Sequence, residues 1–371
     1  MTEVIWSGPC DMSGYGIACI NYVTGLTRAG LRVQLIDKSH SVGLAGKGFD
    51  PSSLETLARL QKIEVARAAV RVHQQVPERL VAMPIARKNI GYTIFEMTSI
   101  PKSWLSYCEA MSEIWTGSEY SRQAFIAGGL DEKKIHVVPH IIDSDKFSPD
   151  TAPLSLPEPA GWNFVSVFDF QARKAWRELL TAYVQAFKHT DDVCLWLKCF
   201  RHGFSKQDQI ALLTQLYHFL HELNVPHPPR IEVCPYDIPL LQMPSFYNSF
   251  DCYVSISREG FGLPYAEAAS CGLAVIGPER SGTRQFLNDD NSFIVQYVND
   301  TVINQEMLTI NPNFAGLKWA SHSVDHLSEV MKHVATHPTE ARAKGLKARE
   351  TVQSTLHYSV IGDRVKTLLE G

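Results

Sequence analysis

The chain has 371 residues, which is long enough for two domains of ordinary size, and its 45% hydrophobic and 20% charged residues are typical of a globular protein with real cores. A net charge of -4 argues against broad electrostatic capture of nucleic acid, although a local basic patch stays compatible with it. The eight cysteines are scattered and form no C-x-x-C pair, which argues against a zinc site and indicates reduced thiols.

The N-terminus carries no basic stretch followed by an apolar one, and the pattern therefore predicts no signal peptide. No part of the sequence approaches the roughly 18 unbroken apolar residues of a transmembrane helix. We expect a cytoplasmic protein, and peripheral attachment to the inner face of a membrane is compatible with this expectation.

The first half of the chain predicts an α/β domain. A short apolar run at residues 4–6 ends in a glycine-rich turn that contains Gly14 and Gly16, and a helix at 17–28 and a strand at 33–37 follow. This order is the opening of a doubly wound domain. The further predicted elements of this half are a helix at 54–67 and strands at 69–72, 89–93, 113–116 and 134–138.

The second half predicts another domain of the same class. The stretch 150–162 holds three prolines and no clear period, and it is interpreted as an interdomain linker. The predicted elements after it are strands at 163–168, 193–199, 231–234, 252–255 and 274–277, and helices at 176–187, 266–270, 324–333, 339–354 and 359–369. We therefore expect two Rossmann-like α/β domains, 1–150 and 151–355, which face each other across a cleft.

The segment 257–267, Ser-Arg-Glu-Gly-Phe-Gly-Leu-Pro-Tyr-Ala-Glu, is the sharpest functional motif. It follows a predicted strand and leads into a helix, and its glycines Gly260 and Gly262 let the backbone approach a ligand closely. The free N–H groups at a helix start can hold a phosphate. The carboxylates of Glu259 and Glu267 could each bind sugar hydroxyls, whereas the alternative is an ordinary turn with a helix cap.

This string resembles the E-x7-E motif of retaining glycosyltransferases of family four (group 1), which have the GT-B fold. The sequences at 14–16, 115–121, 138–143 and 268–283 are also similar to that family, and the resemblance spans most of the chain. It implies that the final helix, at about 356–371, packs back on the first domain. It also implies a nucleotide-sugar donor and no cofactor or required metal.

The resemblance assigns roles to individual residues. Glu267 is expected at the ribose hydroxyls and Glu259 near the hydroxyls of the donor sugar. The backbone from Gly260 through Phe261 and Gly262 to Leu263 is expected at the sugar and diphosphate, and Gly14 and Gly16 are expected to let the first domain approach the same groups.

A positive pair is expected at the diphosphate, and Arg173 and Lys174 follow the first strand of the second domain. The family often has Gly-Arg at the end of that strand, but this chain has Val167-Phe168. The role of the arginine therefore passes either to Arg173 or to Arg201.

Two further positions in the predicted cleft have alternative interpretations. Glu96, after a strand of the first domain, is a candidate for acceptor or donor contact in a region where several family members have a histidine, with a solvated turn as the alternative. His73 is a second candidate, with a structural histidine as the equal alternative. Base contacts are expected from the loop 235–238, which includes Tyr236.

The resemblance implies retention at the anomeric carbon, and front-side substitution is expected because no carboxylate nucleophile can be identified. The Asp143-Ser144-Asp145 sequence resembles a metal-binding D-x-D, but its position predicts a turn or cap. The expected function is transfer of a hexosyl-type sugar from a UDP- or GDP-linked donor to a glycan, a lipid-linked glycan or a small molecule. The alternatives are a silent nucleotide-sugar-binding module and a sugar-nucleotide hydrolase of the same fold.

Overall fold

A computed structural model describes residues 2–39, 49, 51–200 and 205–370. Within these residues, six parallel strands form a first sheet in the order β2-β1-β3-β4-β5-β6. These strands are β1 (Glu3–Gly8), β2 (Arg32–Asp37), β3 (Val70–Gln74), β4 (Asn89–Tyr92), β5 (Glu113–Thr116) and β6 (Ile135–Val137). Its helices are α1 (Gly14–Arg28), α2 (Pro51–Lys62), α3 (Lys102–Glu109) and α4 (Glu119–Ala127).

A second sheet of six described parallel strands has the order β12-β11-β10-β7-β8-β9. These strands are β7 (Trp162–Asp169), β8 (Val193–Phe200), β9 (Ile231–Cys234), β10 (Cys252–Val254), β11 (Ala274–Pro278) and β12 (Phe293–Val295). The helices between them are α5 (Trp176–Ala186), α6 (Lys206–Glu222), α7 (Met243–Tyr247) and α8 (Leu263–Ser270). The structure therefore has the two parallel-sheet α/β units that the sequence predicts.

An antiparallel hairpin lies outside both main sheets. It is built from β13 (Tyr297–Val302), α9 (Gln305–Ile310) and β14 (Lys318–His322), and we call residues 297–322 the arm. The arm packs on the first domain, because the ring of Phe314 lies 5.6 Å from that of Phe95. The backbone N–H of Thr98 also donates a hydrogen bond to the carbonyl of Lys318 at 2.8 Å.

Three helices complete the chain: α10 (Val324–Thr336), α11 (Pro338–Leu356) and α12 (Tyr358–Glu370). The last of them returns to the first domain, where Ile361, Val365 and Leu369 join the apolar core of α1 and the first sheet. Gly362 permits this packing, because a Cβ at this position would lie 2.4 Å from the Cβ of Ala29.

Several predicted helix boundaries differ from the structure; the helix expected at 17–28, for example, begins at Gly14. The helix expected at 54–67 is α2, Pro51–Lys62, which begins earlier because proline suits a first helical turn, and which also ends earlier. The helix expected at 266–270 begins at Leu263, because Gly262 adopts a left-handed conformation with φ 98° and serves as its N-cap. The first turn of α8 therefore includes the end of the functional motif.

All eight cysteines fall within the described residues, and all are buried and free of disulfides. Among the described helices, none is both long and apolar enough to cross a membrane.

Candidate active site

The loop between β10 and α8, residues 255–262, carries most of the motif, and we call it the motif loop. It is held in a defined conformation by side chains of the loop and of α8. The backbone N–H of Ser257 donates to the hydroxyl of Tyr265 at 3.2 Å, and Ser257 Oγ donates to Glu259 Oε1 at 2.8 Å. Gly262 is required where the loop enters the helix, because a Cβ there would lie 2.7 Å from the side chain of Thr283. These contacts fix the direction in which the Glu259 carboxylate points.

Arg173 and Lys174 lie in a short 3-10 turn, Ala172–Lys174, directly after β7. Lys174 Nζ is 2.5 Å from Glu259 Oε1, and Arg173 Nη1 is 3.2 Å from Glu259 Oε2. Arg173 Nη1 also lies 3.5 Å from Oε1 of Glu96, which belongs to the first domain. The structure thus brings four predicted site residues into one cluster of two cations and two carboxylates.

Burial and charge act in opposite directions in this cluster. Burial alone would raise the pKa of Glu259, but Lys174 and Arg173 lower it to about 2. Burial and then Arg173 lower the pKa of Lys174, although Glu259 partly offsets both. Burial raises the pKa of Glu96, and Arg173 offsets only part of that rise. Glu259 is therefore ionised at neutral pH and balances the two neighbouring cations.

The motif loop contacts the first domain directly. The carbonyl of Gly260 accepts hydrogen bonds from Ser118 Oγ at 2.6 Å and from Ser121 Oγ at 3.3 Å. The ring of Phe261 is fully buried and lies 4.7 Å from that of His140. The two domains therefore meet at the loop that carries Glu259.

The two glycines of the first domain differ in their surroundings. A Cβ at Gly16 would lie 2.2 Å from the carbonyl of Asp11, so the chain's own backbone requires glycine at this position. A Cβ at Gly14, the first residue of α1, would meet no protein atom within 4 Å. There is therefore open space beside Gly14 for the ligand that the sequence predicts there. The glycine at position 16 is explained by the fold alone, without a ligand.

Glu267 lies at the edge of a cavity of 720 Å³ between the domains. Its carboxylate accepts a hydrogen bond from the hydroxyl of Tyr247 at 2.9 Å. Burial raises the pKa of Glu267 to about 7, and the Tyr247 hydrogen bond offsets part of the rise. The cavity is lined from the second domain by Leu240, Leu241 and Pro244, and from the first by residues that include Asn21 and Thr24 of α1.

The remaining predicted residues have varied positions. Tyr236 is 55% exposed and donates a hydrogen bond to Cys234 Sγ, whereas the residues of that loop region that line the cavity are Leu240 and Leu241. Leu263 is the first residue of α8, and Arg201 lies outside the described residues. His73 Nε2 is 3.3 Å from Asn89 Oδ1.

The D-x-D sequence has a structural explanation. Asp143 and Asp145 lie 3.3 Å and 2.6 Å from the guanidinium of Arg28, at the exit from the first domain. In the part of the chain that the structure describes, no group of three His, Cys, Asp or Glu side chains is arranged to hold a metal ion.

Sequence reasoning missed several residues that build the site. Arg258 is 6% exposed and hydrogen-bonds to the turn that carries Arg173. Ser118 and Ser121 of the first domain donate hydrogen bonds to the motif loop. Arg258 lies in the string 257–267 and the two serines lie in the string 115–121, both of which carry the resemblance, but the sequence predicted no role for them because their partners are distant along the chain.

Residues 166–310 match the model of the family described as glycosyl transferases group 1, a match that covers less than half of the chain. HepE from Anabaena, in complex with UDP and glucose, is similar in structure, with a TM-score of 0.68, 13% identity and 100% of both chains covered. The sucrose-phosphate synthase of Thermosynechococcus elongatus has a TM-score of 0.66 and 14% identity, over 100% of this chain and 98% of that one.

A third similar structure is a trehalose-6-phosphate protein of E. coli bound with UDP-2-fluoro glucose. Its TM-score is 0.65 with 10% identity, and the match covers 100% of this chain and 99% of the other. The fold is GT-B. No curated protein matches the sequence. The GT-B fold and the family match over the second domain together support a glycosyltransferase.

Proposed function

We propose that this chain is a retaining glycosyltransferase that moves a hexosyl-type sugar from a nucleoside-diphosphate donor to an acceptor hydroxyl. The observation that carries the proposal is the cluster in which Lys174 and Arg173 contact Glu259 close to the first domain. A departing diphosphate develops negative charge, and two fixed cations at its position would stabilise that charge. The similar structures of HepE and the E. coli protein hold UDP or UDP-linked sugars, which favours a UDP donor over a GDP donor.

The cavity beside Glu267 suits the nucleoside part of the donor. Its volume of 720 Å³ falls within the usual range for small-molecule sites. The Glu267 carboxylate would accept hydrogen bonds from the ribose hydroxyls, and the apolar side chains of Leu240 and Leu241 would face the base. The N–H groups at the start of α8 would meet the diphosphate.

We propose front-side substitution for the chemical step. The bond from the anomeric carbon to the diphosphate oxygen breaks, and a bond to the acceptor oxygen forms on the same face. The hydroxyl proton passes to an oxygen of the departing phosphate. Burial lowers the pKa of Lys174. The negative charge of a bound donor would raise that pKa again and so favour the charged form of Lys174. In this proposal the residues that stabilise charge are Lys174 and Arg173, and no metal is required.

Glu96 is proposed to contact the donor sugar or the acceptor from the first domain. Its contact with Arg173, at 3.5 Å, couples it to the diphosphate side of the cluster. The acceptor itself is proposed as a glycan, a lipid-linked glycan or a small molecule.

The test is nucleoside diphosphate release from a panel of UDP-, GDP-, ADP- and dTDP-sugars in the presence of acceptors of all three classes, with and without a chelator. Lys174→Ala and Glu267→Ala proteins run alongside the wild type. We expect release from one donor, indifferent to the chelator and lowered by roughly 100-fold or more in Lys174→Ala. Release that requires a metal ion would contradict the metal-independent mechanism.

The two alternatives give different results in the same assay. Equal release of sugar and nucleotide without any acceptor, at full rate, would indicate a hydrolase. Tight donor binding without release, when acceptors of all three classes are present, would indicate a silent binding module. Absence of binding to every donor would refute the assignment of the site.

A further inference from the structure

Arg258 is a buried cation next to the cluster, and its side-chain hydrogen bonds join three separate segments. Nε donates to the carbonyl of Ala320 in the arm at 3.1 Å, and Nη1 donates to the carbonyl of Ala172 at 3.4 Å. Nη2 donates to Glu178 Oε1, on α5, at 2.9 Å. Burial of a charge is tolerated only with such partners, so the guanidinium stabilises this junction as long as all three segments are in place.

The backbone of Arg258 makes a second set of contacts with the turn that carries the cations. Its N–H donates to the carbonyl of Arg173 at 2.9 Å. Arg173 Nη1 donates in return to the carbonyl of Arg258 at 3.2 Å. The turn with Lys174 and the loop with Glu259 are therefore joined at residue 258 through both backbone and side chain.

The turn needs fixing from outside because its own conformation is unfavourable. Ala175, which follows Lys174, is buried and has φ 53°, in the left-handed region. A residue other than glycine is strained in that region and stays there only where its surroundings enforce it. Arg258 is among the groups that enforce it.

The arm supplies the other side of this junction. The guanidinium carbon of Arg258 lies 4.8 Å from the ring of Trp319, which is 6% exposed. The backbone carbonyl of the neighbouring residue, Lys318, accepts a hydrogen bond from the backbone N–H of Thr98 in the first domain. A chain of contacts therefore runs from the first domain through the arm to Arg258 and on to the turn.

We propose that Arg258 is a positioning residue that holds the Ala172–Lys174 turn against Glu259, and that it thereby sets the geometry of the two cations for the leaving diphosphate. This inference rests on the proposed function for its catalytic consequence. The geometric part, which is the fixing of the turn, stands independently of any donor. An arginine is needed because a lysine cannot donate in a fixed plane to three acceptors.

The experiment compares Arg258→Met and Arg258→Lys with Arg230→Met as a matched control. Arg230 belongs to the same domain and also contacts a glutamate, Glu232, at 3.0 Å and a backbone carbonyl, that of Glu158, at 2.5 Å. Two quantities are measured: hydrogen exchange in peptides that cover residues 171–178, and the kcat and KM of UDP release from UDP-glucose.

We expect both Arg258 variants to exchange faster in this peptide than the wild type, while Arg230→Met does not. We also expect kcat to fall by about 100-fold in Arg258→Met and by about tenfold in Arg258→Lys, with KM within about threefold. Arg258→Lys keeps the buried charge, so it serves if the methionine variant does not fold. Unchanged exchange across residues 171–178 in a folded variant would overturn the proposal.

A variant cycle separates positioning from a general loss of structure. In an Arg173→Met/Lys174→Met background, Arg258→Lys should lower the residual kcat by less than about twofold, because both cations through which Arg258 acts are already absent. A full tenfold loss in that background would contradict the inference. If the wild type neither binds nor cleaves any donor, the proposed function fails, and the exchange measurement still decides whether Arg258 fixes the turn.

Discussion

Glu267 changes its charge near neutral pH, because burial raises its pKa from 4.5 to about 7. Between these two values the folded state binds the proton more tightly than the unfolded state. The resulting contribution to stability is fully present below 4.5 and is lost as the pH rises through 7. In the proposed site, ligand binding should have the opposite pH dependence, because an ionised carboxylate is the stronger acceptor for ribose hydroxyls.

We therefore expect the affinity for UDP to rise more steeply with pH in the wild type than in Glu267→Gln. The ionised fraction of a group with this pKa grows about tenfold between roughly pH 6 and pH 8, which sets the upper limit of the difference. Titration calorimetry of both proteins at several pH values measures it. Ionisation of UDP itself is common to both titrations, so parallel profiles would show that Glu267 does not contact the nucleotide.

Gly14 offers a substitution that tests the ligand without disturbing the protein. The added methyl group of Gly14→Ala would meet no protein atom within 4 Å, and alanine is the better helix former by about 0.5–1 kcal/mol. We expect unchanged or higher thermal stability and a loss of UDP-glucose turnover of at least about tenfold, because the methyl group would meet the diphosphate or sugar. Gly16→Ala is the contrasting variant, and it should lower stability because of Asp11. Full activity in Gly14→Ala would show that the donor does not approach α1.

At the scale of elements, the sequence predicted much of what is local, although it did not predict the helices α3, α4 and α6. The strands β7 and β8 are long, continuous and apolar, and the motif loop has its glycines and Pro264 at the start of a helix. The arm could not be predicted in the same way, because β13 is half-exposed and shows no clean alternation. What fixes the arm is long-range packing, such as that of Phe314 on Trp104 at 5.8 Å.

In the site as well, the sequence predicted individual residues from local motifs but not the contacts between residues that are distant along the chain. The sequence predicted Glu259 and Glu267 as site residues from the motif and its resemblance, and Lys174 from its position after a strand. The contact of Arg173 with Glu96 joins residues from different domains, and no spacing in the sequence encodes it. The role of Arg258 was missed for the same reason, since its partners Ala320 and Glu178 are distant along the chain.

Gly282 is where a single methyl group would displace the motif loop. It begins a 3-10 turn, Gly282–Gln285, and its N–H donates to the carbonyl of Glu259 at 2.8 Å. A Cβ at this position would lie 2.2 Å from the carbonyl oxygen of Gly260, and neither backbone can yield without moving the loop. We expect Gly282→Ala to lose about 1–3 kcal/mol of stability, together with most of the turnover, as measured by denaturant unfolding and UDP release.

Ser281→Ala is the companion variant for this prediction. It removes only the hydrogen bond from Ser281 Oγ to the carbonyl of Glu259 at 3.2 Å and adds no atom. Its cost should stay near about 1 kcal/mol. Equal effects of the two substitutions would contradict the argument from the close approach of Gly282.

At the scale of the whole molecule, the last helix of the chain packs against the first domain. The helix α12 comes last in sequence, yet its buried side chains belong to the core of the first domain. Its C-terminal end is also held there, because Arg87 donates a hydrogen bond to the carbonyl of Leu369 at 3.0 Å. The stability of the first domain therefore depends on residues that follow the second.

Two valines of α12 test this dependence. Val365 is fully buried, whereas Val360 on the same helix is 41% exposed. We expect Val365→Ala to lower the free energy of unfolding by about 2 kcal/mol, because it removes buried methyl groups and leaves a cavity. Val360→Ala should change it by less than about 0.5 kcal/mol. Denaturant unfolding followed by circular dichroism measures both, and equal losses would show that α12 is not part of the core.

The eight buried cysteines can report how often each part of the structure opens. A thiol reagent reacts with an accessible thiolate, so each of these side chains can be alkylated only when the chain around it opens. Cys10, Cys19 and Cys108 belong to the first domain, and the other five belong to the second. The alkylation rate of each cysteine-containing peptide would therefore report how often each domain opens, separately for the two domains. A donor bound between the domains should lower the alkylation rates in both.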